Sequence, residues 1–87
     1  METFQDDDAG YRTWIYANTS GYVVNALRGL VPGDPVLHRA MCETITPTPD
    51  KVWTGDYIKV CSSDRYELEA WARSIGRSVR ACSFCDP

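Results

Sequence analysis

The sequence predicts an α+β fold, a small antiparallel sheet carrying one helix, and three features lead to it. Stretches rich in aromatic and β-branched residues flank a turn near the N-terminus, and a third such stretch, Tyr57 to Cys61 (YIKVC), follows later. One segment, from Arg65 to Ile75 (RYELEAWARSI), repeats its apolar residues at helical spacing. Between and around them, clusters of Gly, Pro, Asn and Asp mark turns and loops that break the chain into short pieces.

Taken in order, residues 1 to 10 (METFQDDDAG) show no periodicity, hold three consecutive aspartates and end in Gly, and they read as a disordered acidic tail. Residues 11 to 87 then read as one domain. Arg12 to Ala17 (RTWIYA) and Gly21 to Leu27 (GYVVNAL) form an expected hairpin across the turn Asn18-Thr19-Ser20-Gly21. Gly29 to Pro35 (GLVPGDP) is a loop, and Val36-Leu37 leads from it into His38. The prolines of Thr46-Pro47-Thr48-Pro49-Asp50 remove ladder donors and mark a second loop. Trp53 to Asp56 is the turn before the YIKVC strand. The helix opens on Asp64, with Glu67 three residues on as in a capping box, and closes before Gly76, which suits a left-handed residue. Leu68, Trp71, Ala72 and Ile75 fall on one face, so the helix packs on the sheet.

A chain of 87 residues buries only about 60 to 65% of the surface its unfolded form exposes, which leaves the core marginal without help. Its composition is nonetheless globular, with 44% hydrophobic and 24% charged residues. The formal charge of -3 is owed to the first ten residues, because Glu2, Asp6, Asp7 and Asp8 account for four of twelve acidic residues and the other eight face nine Lys and Arg. The folded part is near neutral. Arg65, Arg73, Arg77 and Arg80 fall in one late segment, where they form either a basic face or a merely solvated helix face. No signal-peptide pattern and no apolar run of about 20 residues is present, so a cytoplasmic location without membrane contact is expected. In a reducing compartment four cysteines read as metal ligands in preference to disulfides.

The cysteines themselves supply the spacing. Cys82-Ser83-Phe84-Cys85 is a Cys-x2-Cys pair, in which a tight turn points two thiolates at one tetrahedral ion. His38-Arg39-Ala40-Met41-Cys42 is a His-x3-Cys pair that presents both groups to one side of a turn or first helical turn. Together His38, Cys42, Cys82 and Cys85 make a three-thiolate, one-imidazole set for Zn2+, and they tie the C-terminus into a knuckle. Four protein ligands leave no open position, so the ion is structural, and its binding supplies the stability the core lacks. Cys61 is left over. An all-cysteine set with Cys61 replacing His38 is chemically acceptable, but His38 closes a shorter loop with Cys42, and Cys61 lies on a strand where a cysteine simply packs. A thioredoxin-like redox role for Cys82 and Cys85 needs a following helix, and only Asp86 and Pro87 follow here.

With these residues in place, the stretch from about residue 36 to 87 resembles the zinc-binding domain of the Ada family of DNA-alkylation repair proteins and the Ada-like zinc modules appended to some nucleases. The resemblance is carried by His38 and Cys42 at x3 spacing, by the capped helix from Arg65, and by the closing Cys82-Ser83-Phe84-Cys85-Asp86-Pro87. In that family the first ligand is a cysteine that accepts a methyl group from a DNA phosphotriester. His38 stands there in this chain, so methyl transfer is not expected.

The resemblance implies a nucleic-acid (DNA) reading module. From the residues alone, Arg39 lies between two ligands while Arg77 and Arg80 approach the knuckle, so three guanidiniums can meet phosphates beside the metal. Trp53 or Tyr57, beside the Pro-rich loop, can stack on a base or else pack in the core. The alternative is a protein-interaction adaptor that docks a partner on an edge of the hairpin or on the Thr46 to Asp50 loop. No enzyme is expected, since the lone His is committed to the metal and no paired-carboxylate or phosphate-binding Gly-rich motif occurs.

Overall fold

Two helices and five strands order the described residues, 1–29 and 35–87, of a computed structural model. Strand β1 (Glu2–Phe4) is followed by helix α1 (Asp8–Ala17), then by β2 (Tyr22–Leu27), β3 (Val36–Arg39), β4 (Tyr57–Ser62), helix α2 (Arg65–Ser74) and β5 (Arg80–Ala81). The strands form one sheet in the order β1-β4-β2-β3-β5, antiparallel throughout except for the parallel pairing of β3 with β5. The expected α+β class is therefore observed. The loop read at Gly29 to Pro35 lies mostly outside the described residues.

The sheet is covered on both faces, and alternation along the strands decides which residue goes where. On one face Val23, Cys61 and Ala40 pack with Tyr11 and Ile15 of α1. On the other, Val24, Leu37, Ile58 and Val60 pack with Leu68 of α2. Register fixes this division: Val23 stands opposite both His38 and Cys61, whereas Val24 stands opposite Leu37 and Val60.

Two expectations at the N-terminus are corrected. Residues 1 to 10 are not a disordered tail, because Glu2, Thr3 and Phe4 pair with Cys61, Val60 and Lys59. The aspartates that looked like a solvated run each hold a defined partner, and one of them is a helix cap. Asp6 chelates Arg28 through two hydrogen bonds of 2.8 Å, and Asp7 caps α1 by accepting from the amide of Gly10 at 2.9 Å. Asp8 accepts from the amides of Trp53 and Thr54, both at 2.9 Å, and from the Thr54 hydroxyl.

The second correction follows from the first. Arg12 to Ala17 is helical, so the expected hairpin does not form and β2 pairs instead with β3 and β4. The β-branched and aromatic content was a weak guide, because Tyr11, Trp14 and Ile15 recur at i, i+3 and i+4 and their burial outweighs propensity. The Tyr11 hydroxyl donates to the Ile45 carbonyl at 2.6 Å, which ties α1 to the loop after β3.

Helix α2 runs over Arg65–Ser74, one residue short of the expected end at Ile75, which is its C-cap; Asp64 and Gly76 mark its ends as expected, while the expected capping box through Glu67 does not close on the Asp64 amide. Asp64 accepts from the Tyr66 amide at 2.9 Å, but Glu67 reaches the Ser62 hydroxyl (2.9 Å), which in turn accepts from the Asp64 amide. Gly76 adopts φ 74 and Arg77 donates back to the Ala72 carbonyl at 2.9 Å, a Schellman closure.

Asp8 gathers three hydrogen bonds from the 53–54 segment. Burial works against its charge, yet the Thr54 hydroxyl and the Trp53 and Thr54 amides hold its carboxyl below the usual carboxylate range. Asp8→Ala leaves those donors without their acceptor and lowers stability by about 2 kcal/mol in urea unfolding. Asp8→Asn, which keeps one acceptor oxygen, loses less; equal stability of all three proteins would show the clamp to be idle.

Candidate metal centre

Strand β3 delivers the first candidate ligand. His38 is 6% exposed and stands on the α1 face, opposite Val23. The chain then extends one more step, with the Ala40 amide donating to the Gly21 carbonyl, before it turns sharply. The Cys42 amide donates to the Arg39 carbonyl at 3.0 Å, and the Cys42 carbonyl accepts from the amides of Ile45 and Thr46 and from the Thr46 hydroxyl. This turn, rather than a helical one, folds Cys42 back toward the face that His38 occupies.

The second pair arrives along the edge of the sheet. Parallel pairing of β5 with β3 continues through the Cys82 amide, which donates to the Leu37 carbonyl at 2.9 Å, so Cys82 lies beside His38. The knuckle closes when the Asp86 amide donates to the Cys82 carbonyl at 3.0 Å. Inside it, Cys85 Sγ accepts from the Arg39 amide at 3.2 Å.

The result is one cluster. The ligand atoms of His38, Cys42, Cys82 and Cys85 all lie within 4.8 Å of one another. Cys42 Sγ and Cys82 Sγ are 3.9 Å apart, whereas two thiolates bound at about 2.3 Å to one tetrahedral ion are separated by about 3.8 Å. A disulfide would need about 2.05 Å, and all four cysteines of the chain are free. The donor set fits a metal ion of the zinc type, with soft thiolates and one imidazole.

The electrostatics suit ligation. Burial pushes the His38 imidazole down to about 4, helped by the charge of Lys59, so the ring is in its neutral, ligating form at neutral pH. For Cys82 burial works upward, but the amides of Cys85 and Phe84 and the neighbouring thiols outweigh it and the thiol falls below its ordinary value. Cys85 moves the other way, up to about 11, through burial and the negative charge of Cys42. A cation placed among these groups relieves that repulsion.

Thr44 is a member of the site that its sequence gave no reason to single out. Its hydroxyl lies 3.0 Å from Cys42 Sγ and 3.4 Å from His38 Nδ1, where it can orient the ring and stabilise the thiolate. Nothing in the spacing of the ligands points to it, since the contact is made by the turn.

Cys61 is separate from the cluster. It sits on β4, with β2 between it and β3, so about two strand spacings, ~9.6 Å, separate its backbone from that of His38. It is fully buried against α1, and burial pushes its thiol up to about 12, the state of an inert packing cysteine.

Of the three arginines expected near the metal, Arg39 is placed there. Its guanidinium donates to the carbonyls of Cys85 and Asp86, both at 3.0 Å, and so clasps the knuckle from outside. Arg80 is exposed on β5 at the register position of Val36, two residues before Cys82. Arg77 is half-buried just past the end of α2. Trp53 is half-buried and Tyr57 is 43% exposed.

No family model, curated protein or solved structure matches this chain.

Proposed function

We propose that the chain is a nucleic-acid reading module built around a structural zinc ion held by His38, Cys42, Cys82 and Cys85. The observation that carries this reading is the convergence of all four ligand atoms within 4.8 Å. Four protein ligands complete a tetrahedral shell, so no position is left for a substrate or an activated water, and the role is structural, not enzymatic. A reducing, cytoplasmic setting keeps the thiols available to the ion. No helix among the described residues is long and apolar enough to cross a membrane.

Support for nucleic acid comes from what surrounds the knuckle. Arg39 uses part of its guanidinium to hold the Cys85 and Asp86 carbonyls, which fixes the group at the surface and leaves further donors for a phosphate. Phe84, inside the Cys-x2-Cys turn, is 76% exposed and available for stacking. The resemblance to the Ada zinc domain points the same way.

The expected result is salt-sensitive binding of short DNA and RNA oligonucleotides. Replacing Arg39, Arg77 or Arg80 by Gln flattens the slope of log affinity against log salt by about 1 for each phosphate contact removed. Binding by fluorescence anisotropy that ignores salt, or that survives all three replacements, would refute the basic-face argument.

One observation favours the adaptor reading as the alternative. Met41 and Phe84, each next in sequence to a residue of the metal cluster, are exposed by 47% and 76%. An edge of the expected hairpin is no longer available for docking, since β2 is paired on both sides. Capture of a protein partner that is lost in Phe84→Ser, together with no oligonucleotide binding, would favour the adaptor.

A further inference from the structure

A cavity of about 270 Å³ opens on the α1 face of the sheet, next to the metal centre. Its walls include Asn25, Thr44, Ile45, Trp53, Tyr57 and Lys59. Thr44 belongs to both places, since its hydroxyl touches Cys42 Sγ and His38 Nδ1. The cavity is smaller than the pockets of drug-sized ligands, and it is sized for a single small ring system.

Its polar groups are the unusual feature. Lys59 is 3% exposed, an ammonium carried inside on the central part of the sheet. Its one hydrogen bond among the described residues goes to the Trp53 carbonyl, and the rings of Tyr11 and Tyr57 stand 5.7 Å from Nζ. An ammonium has three donors, so capacity remains for an acceptor brought from outside. Asn25 is the cross-strand neighbour of Lys59, and its buried Oδ1 has no hydrogen-bond partner. A buried acceptor left unpaired is costly, and a carboxamide in that state is able to pair with a group that offers N–H and C=O side by side. Trp53 and Tyr57 add aromatic surface, and Lys51 sits over the Trp53 ring at 4.1 Å at the entrance.

We infer that this cavity binds one nucleobase of the keto type, whose ring N–H and adjacent carbonyl pair with Asn25 while a carbonyl oxygen accepts from Lys59. Adenine has no carbonyl to accept from Lys59, and cytosine has one but carries no hydrogen on the ring nitrogen beside it, so neither gives the unpaired Asn25 Oδ1 a ring N–H next to that carbonyl, and both are disfavoured. Uracil, thymine and guanine meet the requirement; cytosine and adenine do not. The inference deepens the nucleic-acid reading above and rests on it for the biological ligand. The cavity itself is a separate site from Arg39, Arg77 and Arg80, none of which lines it.

The test is a titration of the metal-loaded chain, followed by two-dimensional 1H–15N NMR, with uridine, cytidine and 3-methyluridine, none of which carries a phosphate. Uridine is expected to shift the Asn25 carboxamide and the Trp53 indole resonances and to bind about tenfold tighter than cytidine or 3-methyluridine. Tyr57→Ala, on a half-exposed side chain, weakens uridine by about tenfold through lost aromatic contact. Lys59→Met abolishes the preference for uridine over cytidine. Should that protein fail to fold, Tyr57→Ala and the two control nucleosides still decide the matter. Equal shifts from uridine and cytidine, or shifts confined to residues outside the cavity, overturn the inference.

Oligonucleotides separate it from the broader reading. If U-tract and C-tract DNA or RNA bind equally and only through Arg39, Arg77 and Arg80, the module reads nucleic acid and the cavity does not. If uridine occupies the cavity but no oligonucleotide binds, the site stands and the reading module falls. If nothing binds, both fall.

Discussion

One zinc ion per chain is expected by elemental analysis of the purified protein, and its removal by a chelator is expected to lower the melting temperature by about 20 °C or more. The magnitude follows from the linkage of metal binding to folding. Structural zinc sites bind with about 10 to 16 kcal/mol, and in a domain of this size each kcal/mol is worth about 4 to 8 °C. Even a third of that free energy, expressed as folding stability, accounts for the shift. The structure also says where the damage falls. Cys42 and Cys82 belong to the same apolar cluster as Tyr11, Ile15 and Val23, and Cys85 packs against it. Loss of the ion therefore loosens the α1 side of the sheet, while the cluster around Leu68 on the other face has no ligand in it. Hydrogen exchange should show α1 and the 40–46 turn opening before α2.

Acid acts in the same direction. The His38 imidazole falls from 6.5 to about 4 on folding, through burial first and the Lys59 charge second. The unfolded chain therefore binds a proton that the folded chain refuses, and this group's contribution to stability falls as pH drops from about 6.5 toward about 4. The thiolates add to it in the loaded protein, because protons compete with the metal. A metal-free preparation that melts at the temperature of the loaded one would refute the structural-zinc assignment.

The convergence of His38, Cys42, Cys82 and Cys85 was legible because each pair is written locally: its members are close enough in sequence for one turn to bring them together. Helix α2 was legible for a similar reason, since Asp64, Gly76 and the Leu68, Trp71, Ala72, Ile75 stripe agree with one another. The N-terminus was not. Three consecutive aspartates have the composition of a solvated tail, and only the positions of Arg28, Gly10 and Thr54 in space give them partners. In α1, a reading that starts at Arg12 leaves out Tyr11, the buried residue that completes the helical face. The cavity was invisible for the same physical reason as Thr44. Asn25 and Lys59 lie 34 positions apart and meet only through the β2 and β4 register.

The remaining large effect concerns which group completes the metal shell, and it sets His38 against Cys61. On chemistry alone a fourth thiolate is as good as an imidazole, so geometry has to choose. His38 shares β3 with the turn that carries Cys42, and β5 brings Cys82 directly beside it, whereas Cys61 stands across β2 on β4. For Cys61 to join the set, the β2 to β4 ladder would have to open, at the expense of the six residue pairings between them. His38→Ala is therefore expected to weaken zinc binding by orders of magnitude in a chelator competition assay. His38→Cys, which restores a soft ligand at the same strand position, should recover the ion in an all-thiolate site; in the cobalt-substituted protein it should also strengthen the charge-transfer absorption from sulfur. Cys61→Ser keeps full zinc affinity and loses stability by about 1 to 2 kcal/mol, because a hydroxyl replaces a thiol in a fully buried position against Tyr11 and Val23. The reverse pattern, zinc released by Cys61→Ser and retained by His38→Ala, would overturn the proposed assignment of His38 as the fourth ligand.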